Sequence, residues 1–266
     1  MERREFLGSA LGSALGASLL STASADSANA AEDGREYYQL RRYQLSSAQA
    51  PGSADYFSNA LIPALNRMKI APVGVFNVTI GLTGPNPYIL MPCASLETLA
   101  KLDESLLADV DYQKAAKPFF TAAGVQPSFM RTDSSLLQAF PKYPRLTLPE
   151  AAVAKKARIY EIRTYESPND QDHQLKMEQM QAGESEIFKS VGAWTVVFAD
   201  TLIGSRLPKL TYMLGYDDLA ARERIWAAFG ASPAWKALNS QPRYTAENLV
   251  SNITNEILTP APYSQI

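Results

Sequence analysis

Two short stretches carry the side chains best suited to chemistry. Near residue 40 the chain reads Gln39-x-Arg41-x-Tyr43, and near residue 160 it reads Glu161-x-Arg163-x-Tyr165. In an extended strand, residues two apart share a face and lie about 6.6 Å apart. Each arginine therefore reaches a tyrosine and either an amide or a carboxylate. Guanidinium donors beside phenol hydroxyls suit a small acidic or aromatic ligand. They suit equally a closed network of paired charge that holds parts of the fold in register. Buried charge is usually paired, which makes the network the simpler reading. Arg41 has only an amide beside it where Arg163 has a carboxylate, so Arg41 is the less neutralised cation.

His173 and Glu184 are further candidates. At 100° per residue, His173 shares a helical face with Met177, Met180, Glu184, Ile187 and Phe188. Eleven residues of helix place the two about 16 Å apart, too far for one metal. A carboxyl in an apolar stripe can have a raised pKa, which keeps Glu184 in view, although a partner on a neighbouring element is simpler. Near a helix N-terminus, His173 is expected to be exposed and structural. Cys93 has no histidine nearby to activate it.

What is missing narrows the chemistry. One cysteine and one histidine exclude an internal disulfide, CxxC sites and HExxH. No GxSxG or dinucleotide fingerprint occurs, so neither a metal nor a cofactor is expected. The 27 acidic and 25 basic residues leave a net charge of −2 without long runs, giving no pull towards a nucleic-acid backbone. With 46% hydrophobic and 20% charged residues, the chain has a globular composition.

The elements that position these residues come in two copies. Residues 37–43 match residues 159–165 at an offset of 122, and Val75-Phe76, Thr79 and Met91 meet Val197-Phe198, Thr201 and Met213 at the same offset. A period this long means a duplicated domain rather than a solenoid. Each copy reads β-α-β-β-α-β. The expected strands lie near 36–45, 73–81, 87–92 and 128–139, then 158–166, 194–203, 209–216 and 248–258. Helices are expected near 54–69, 96–122 and 171–191, and after an N-cap at Asp218. The fold class is thus α+β, with two tandem ferredoxin-like units whose antiparallel sheets face each other as an intramolecular barrel. The units span 36–140 and 157–258, with a proline-bearing linker at 141–156 and a tail at 259–266. The less apolar strand face, carrying Arg41, Tyr43, Glu161, Arg163 and Tyr165, is expected to point away from the helices and into the space between the sheets. On the helix after Asp218, the i, i+4, i+8 spacing of Asp218, Arg222 and Trp226 suggests an ion pair and a cation–π contact.

The run Ile159-Tyr160-Glu161-Ile162-Arg163-Thr164-Tyr165 resembles the opening strand of the NIPSNAP family. So do Gly183-Glu184 with Ile187-Phe188, and Leu210-Thr211-Tyr212-Met213-Leu214 followed by Asp218, Arg222, Trp226, Phe229, Pro233 and Trp235. The resemblance covers 157–258 and, more weakly, 36–140. It implies the dimeric α/β-barrel type of fold and no agreed activity or catalytic residue. It points to a protein that binds a small ligand or its own kind as a homo-oligomer. The alternative is a cofactor-independent monooxygenase or related small-molecule enzyme. Haem peroxidases of this fold carry Gly-x-x-Asp-Gly, which this chain lacks, so His173 is not assigned to haem.

The first 30 residues form an export signal. Arg3-Arg4 followed by Phe6-Leu7 resembles the twin-arginine signal, an apolar run follows over 7–20, and Ala-x-Ala sites end at residues 25 and 30. The apolar run is shorter than the ~18–20 residues a spanning helix needs. The expectation is a periplasmic or otherwise exported protein without membrane insertion after cleavage.

Overall fold

The computed structural model describes residues 34–82, 84–121, 128–245 and 248–266. The export signal expected over 1–30 lies outside these residues. Eight strands alternate with helices in the order of two β-α-β-β-α-β units. The strands are β1 (Tyr37–Gln44), β2 (Gly74–Ile80), β3 (Tyr88–Cys93), β4 (Arg131–Ala139), β5 (Ile159–Glu166), β6 (Trp194–Ile203), β7 (Lys209–Tyr216) and β8 (Asn252–Pro260).

Each unit has the ferredoxin-like sheet order, and the sheets join edge to edge. β2 pairs with β8 and β4 with β6, closing the barrel β1-β3-β2-β8-β5-β7-β6-β4, with every pair antiparallel. Eight strands leave an interior just wide enough for side chains to fill. Tyr38, Phe76, Leu90, Leu137, Tyr160, Met213 and Leu258 fill one end of it. Residues 261–266 fold back over that end: the Ala261 and Gln265 amides donate to the Val75 and Val73 carbonyls, and Ile266 is fully buried in the same cluster. Helices cover the outer faces, giving each unit its own helix-sheet core.

Local signals set the helix starts. Ser95, Asp109, Asn169 and Asp218 accept hydrogen bonds from backbone amides of the following turn. The first helix of each unit spans 50–67 and 170–190; the former contains a π turn at Phe57–Leu61, and the latter is kinked at Gly183, whose φ is 158°. Gly192, with φ of 99°, follows the second of these helices, a conformation that suits glycine. No helix among the described residues is long and apolar enough to cross a membrane.

The repeat is not gapless. Arg41 lies opposite Ile89 and Arg163 opposite Tyr212, so β3 and β7 correspond at an offset of 123, one more than β1 and β5. The identities Val75-Phe76/Val197-Phe198 and Met91/Met213 are therefore out of phase. Met91 faces its helices while Met213 lies inside the barrel, and Phe76 and Phe198 differ in the opposite sense. Because strand side chains alternate, a slip of one residue exchanges the faces.

The faces of β1 and β5 are also the reverse of those expected. Tyr38 and Tyr160 point into the barrel, whereas Tyr43 and Tyr165 belong to the helix-sheet cores. A closed eight-stranded barrel is itself a hydrophobic core and takes the more apolar set. The helices supply the counter-charges that let the more polar set face them.

Candidate ligand site at the barrel mouth

Four of the sequence-predicted residues meet beneath the helices of the second unit. Glu161, fully buried, accepts six hydrogen bonds. Arg163, Arg222 and Asn255 donate to Oε1 at 2.7, 2.7 and 3.0 Å, and Arg222, Trp226 and Tyr216 donate to Oε2 at 2.9, 2.9 and 3.2 Å. Burial alone would raise the Glu161 pKa, but hydrogen bonds and charge from Arg222 and Arg163 hold it below the ordinary glutamate value. The Arg163 guanidinium lies 4.4 Å from the Trp226 ring centroid, and its Nη2 is 3.4 Å from the Tyr165 hydroxyl. Beside it, Lys176 Nζ donates to Glu184 at 2.6 Å and to Gln179 at 2.8 Å and lies over the Tyr165 ring.

The network is saturated at the Glu161 carboxylate, while Arg163 Nε is buried without a hydrogen-bond partner. All of the acceptor capacity of Glu161 is used, and Glu184 has the partner that its apolar stripe required. Arg222 bonds Glu161 rather than Asp218, which caps the helix instead, while the Arg222–Trp226 cation–π contact forms at 5.8 Å.

Arg41 and Tyr43 lie apart from these, under the helices of the first unit. Arg41 Nη2 reaches Asp103 at 3.3 Å and Gln39 at 3.5 Å, and Tyr43 packs edge-on against Phe57 and Phe129. Neither lies in a space between sheets. His173 is buried rather than exposed, because the helix start packs over β6, where Asp200 Oδ1 takes His173 Nε2 at 2.8 Å. Cys93 is buried and free. Among the described residues no cluster of three His, Cys, Asp or Glu side chains is placed to hold a metal.

One open space is inside the barrel, at the end opposite the buried tyrosines. A cavity of about 340 Å³ is floored by Leu40 and Ile162 and ringed by Arg42, Asp133, Thr164, Lys209, Thr211 and Glu256, among others. Register explains the ring. Thr164 lies opposite both Thr211 and Thr254, and Ile162 opposite Met213 and Glu256, so a layer of hydroxyls stands next to a layer that mixes apolar groups with one carboxylate. The charges on the wall are mostly matched: Arg42 pairs with Asp133, and Glu256 accepts from the Tyr88 hydroxyl at 2.6 Å and the Leu82 amide at 3.1 Å.

Lys209 is the exception. It is only 7% exposed, and its Nζ donates no hydrogen bond to any described residue. Burial, reinforced by the charge of Arg206, pushes its pKa below the ordinary lysine value against the pull of Glu166. Sequence reasoning passed over Lys209 because it opens a strand that is otherwise read as apolar. The signal available was parity: Lys209 and Thr211 share a face with Met213, giving that strand one half-polar side.

The NIPSNAP family model matches residues 38–132 and 160–265, one copy on each unit. No curated protein matches the chain in sequence. Among solved structures, a proposed monooxygenase from Lactobacillus acidophilus is similar with a TM-score of 0.55 at 8% identity, covering 85% of this chain and 94% of that one. A proposed monooxygenase from Fusobacterium nucleatum gives 0.51 at 7% identity over 85% and 92%. An uncharacterised NIPSNAP-like domain protein from Burkholderia xenovorans is 27% identical over 39% of this chain and 85% of its own, with a TM-score of 0.34. At 7–8% identity, the first two likenesses speak to fold alone.

Proposed function

The chain belongs to the NIPSNAP family, and we propose that it binds a small carboxylate ligand in the mouth of its tandem barrel. The observation that carries this is Lys209, a buried cation with an open cavity before it and no hydrogen-bond acceptor among the described residues. An ammonium at the wall of a narrow cavity is less well solvated than in bulk water, and a ligand carboxylate would supply it with an acceptor. Thr164, Thr211 and Thr254 offer hydroxyls beside it, and Leu40 and Ile162 accommodate a short apolar portion. The volume lies at the lower end of the usual range for small-molecule sites.

Every strand edge of the barrel is paired within the chain. A second copy would therefore have to use helical or loop surfaces, and ligand binding needs no partner. We further propose that the twin-arginine segment at residues 1–30 exports the protein, which places the ligand outside the cytoplasm.

Isothermal titration with a panel of short mono- and dicarboxylates tests the ligand reading. At least one should bind the wild type and fail to bind Lys209→Met, with unchanged circular dichroism. Equal affinity in the variant, or no binding by any member of the panel, overturns it.

A further inference from the structure

Resting on that ligand site, we propose that Lys209 is a nucleophile that condenses with the carbonyl carbon of a small oxo acid to form an imine. Three features of the cavity support this chemistry. Lys209 lines the open cavity and its Nζ is committed to no hydrogen bond among the described residues, so the nitrogen is free to turn towards a bound molecule. The groups facing it include the cation Arg206, on the loop that leads into β7, and the apolar floor of Leu40 and Ile162, and both disfavour the ammonium form. Arg42 lines the same cavity and shares its guanidinium between Asp133 and Tyr88, and its five N–H donors leave capacity for the carboxylate of an oxo acid.

The step balances without an oxidant or reductant. The ammonium first loses one proton to solvent at the open mouth. The amine nitrogen then adds to the carbonyl carbon to give a carbinolamine. The hydroxyl, protonated by solvent, leaves as water, and the remaining N–H hydrogen returns to solvent as a proton. One C=O bond is broken and one C=N bond formed.

The pH dependence of that step belongs to the whole wall. Glu166 and Arg206 face Lys209 from β5 and the preceding loop, while Arg42, Asp133, Tyr88 and Glu256 face it from across the cavity.

The test is reductive trapping of the full chain with pyruvate and cyanoborohydride at neutral pH, followed by peptide mapping. Lys209 should be the first lysine labelled and should carry most of the label, because its amine form is favoured over that of exposed lysines. Lys209→Arg should give no adduct at this position, and acetate, which has no ketone to condense, should bind the wild type without labelling it. Labelling at a common rate across all lysines, or no label on Lys209, overturns the imine. Acetate titration separates the two readings: acetate bound with Lys209 untrapped removes the imine and leaves the ligand site, whereas the absence of both removes both.

Discussion

Glu166 stands directly across from Lys209 on the neighbouring strand, yet its carboxylate is bonded by Arg206 at 2.9 Å and by Asn252 at 3.0 Å instead. The one anion in register with the buried lysine is thus held elsewhere. Lys209 is left without a bonded anion because Arg206 and Asn252 take the carboxylate that the register places opposite it.

It follows that Lys209 weakens the fold. Lys209→Met, which keeps length and removes charge, should stabilise the protein by about 1 kcal/mol at pH 7, the low end of the cost of a poorly solvated polar group. Because the folded-state pKa is lowered, the unfolded chain binds more protons, and wild-type stability rises with pH towards the ordinary lysine pKa. The advantage of the variant should therefore shrink as pH approaches about 10.4. Thermal melts at pH 7 and pH 10.5 check both parts, and a variant less stable than wild type at pH 7 would contradict the assignment.

Arg222 and Arg41 should behave very differently when truncated. Arg222→Ala removes two of the six donors to Glu161 and leaves the carboxylate buried, at an expected cost of about 3–5 kcal/mol. Arg41→Ala breaks a 3.3 Å pair with Asp103, a side chain that is 80% exposed, and should cost about 1 kcal/mol or less. Urea unfolding of the two variants measures the difference directly.

Much of this was legible from residue order, and the failures have one cause. Element types follow from Pro, Gly and cap residues such as Asn169 and Asp218, whose effects are local. The paired units follow from the match between residues 37–43 and 159–165. Which face of a strand is inside is not a local property. Glu161 and Arg163 tolerate the helix side because Arg222 and Trp226, more than fifty positions away, arrive there to pair with them. The one-residue slip between β1 and β3 was hidden because Met91 and Met213 agree in type while lying in different cores. Lys209 became visible only when register placed Thr164, Thr211 and Thr254 around it.

Export should depend on the paired arginines. Arg3→Lys with Arg4→Lys should leave the precursor in the cytoplasm, since these residues are the recognition element of the signal they resemble. Cell fractionation with N-terminal sequencing reads the result, and the mature protein should begin at Asp26 or Ala31. Normal appearance outside the cytoplasm would show that the arginines are not read.

The Glu161 network also predicts how the protein responds to acid. Its carboxyl pKa is lowered in the folded state, because the donors from Arg222 and Arg163 outweigh the opposing effect of burial. Stabilisation of this sign is fully present above the unfolded glutamate value, near 4.3, and is lost as pH falls through the folded value. Protonation there places a neutral acid against two guanidinium groups, and both lose their charged acceptor. Glu161→Gln mimics that state at every pH. The wild type should therefore lose stability steeply as pH falls below about 4.3, whereas Glu161→Gln should start lower and show a flatter acid limb. The curves should converge at the acid end, where both proteins carry a neutral side chain among the same donors. Denaturant midpoints measured between pH 7 and pH 3 distinguish this from a general acid effect, in which the two curves would fall in parallel.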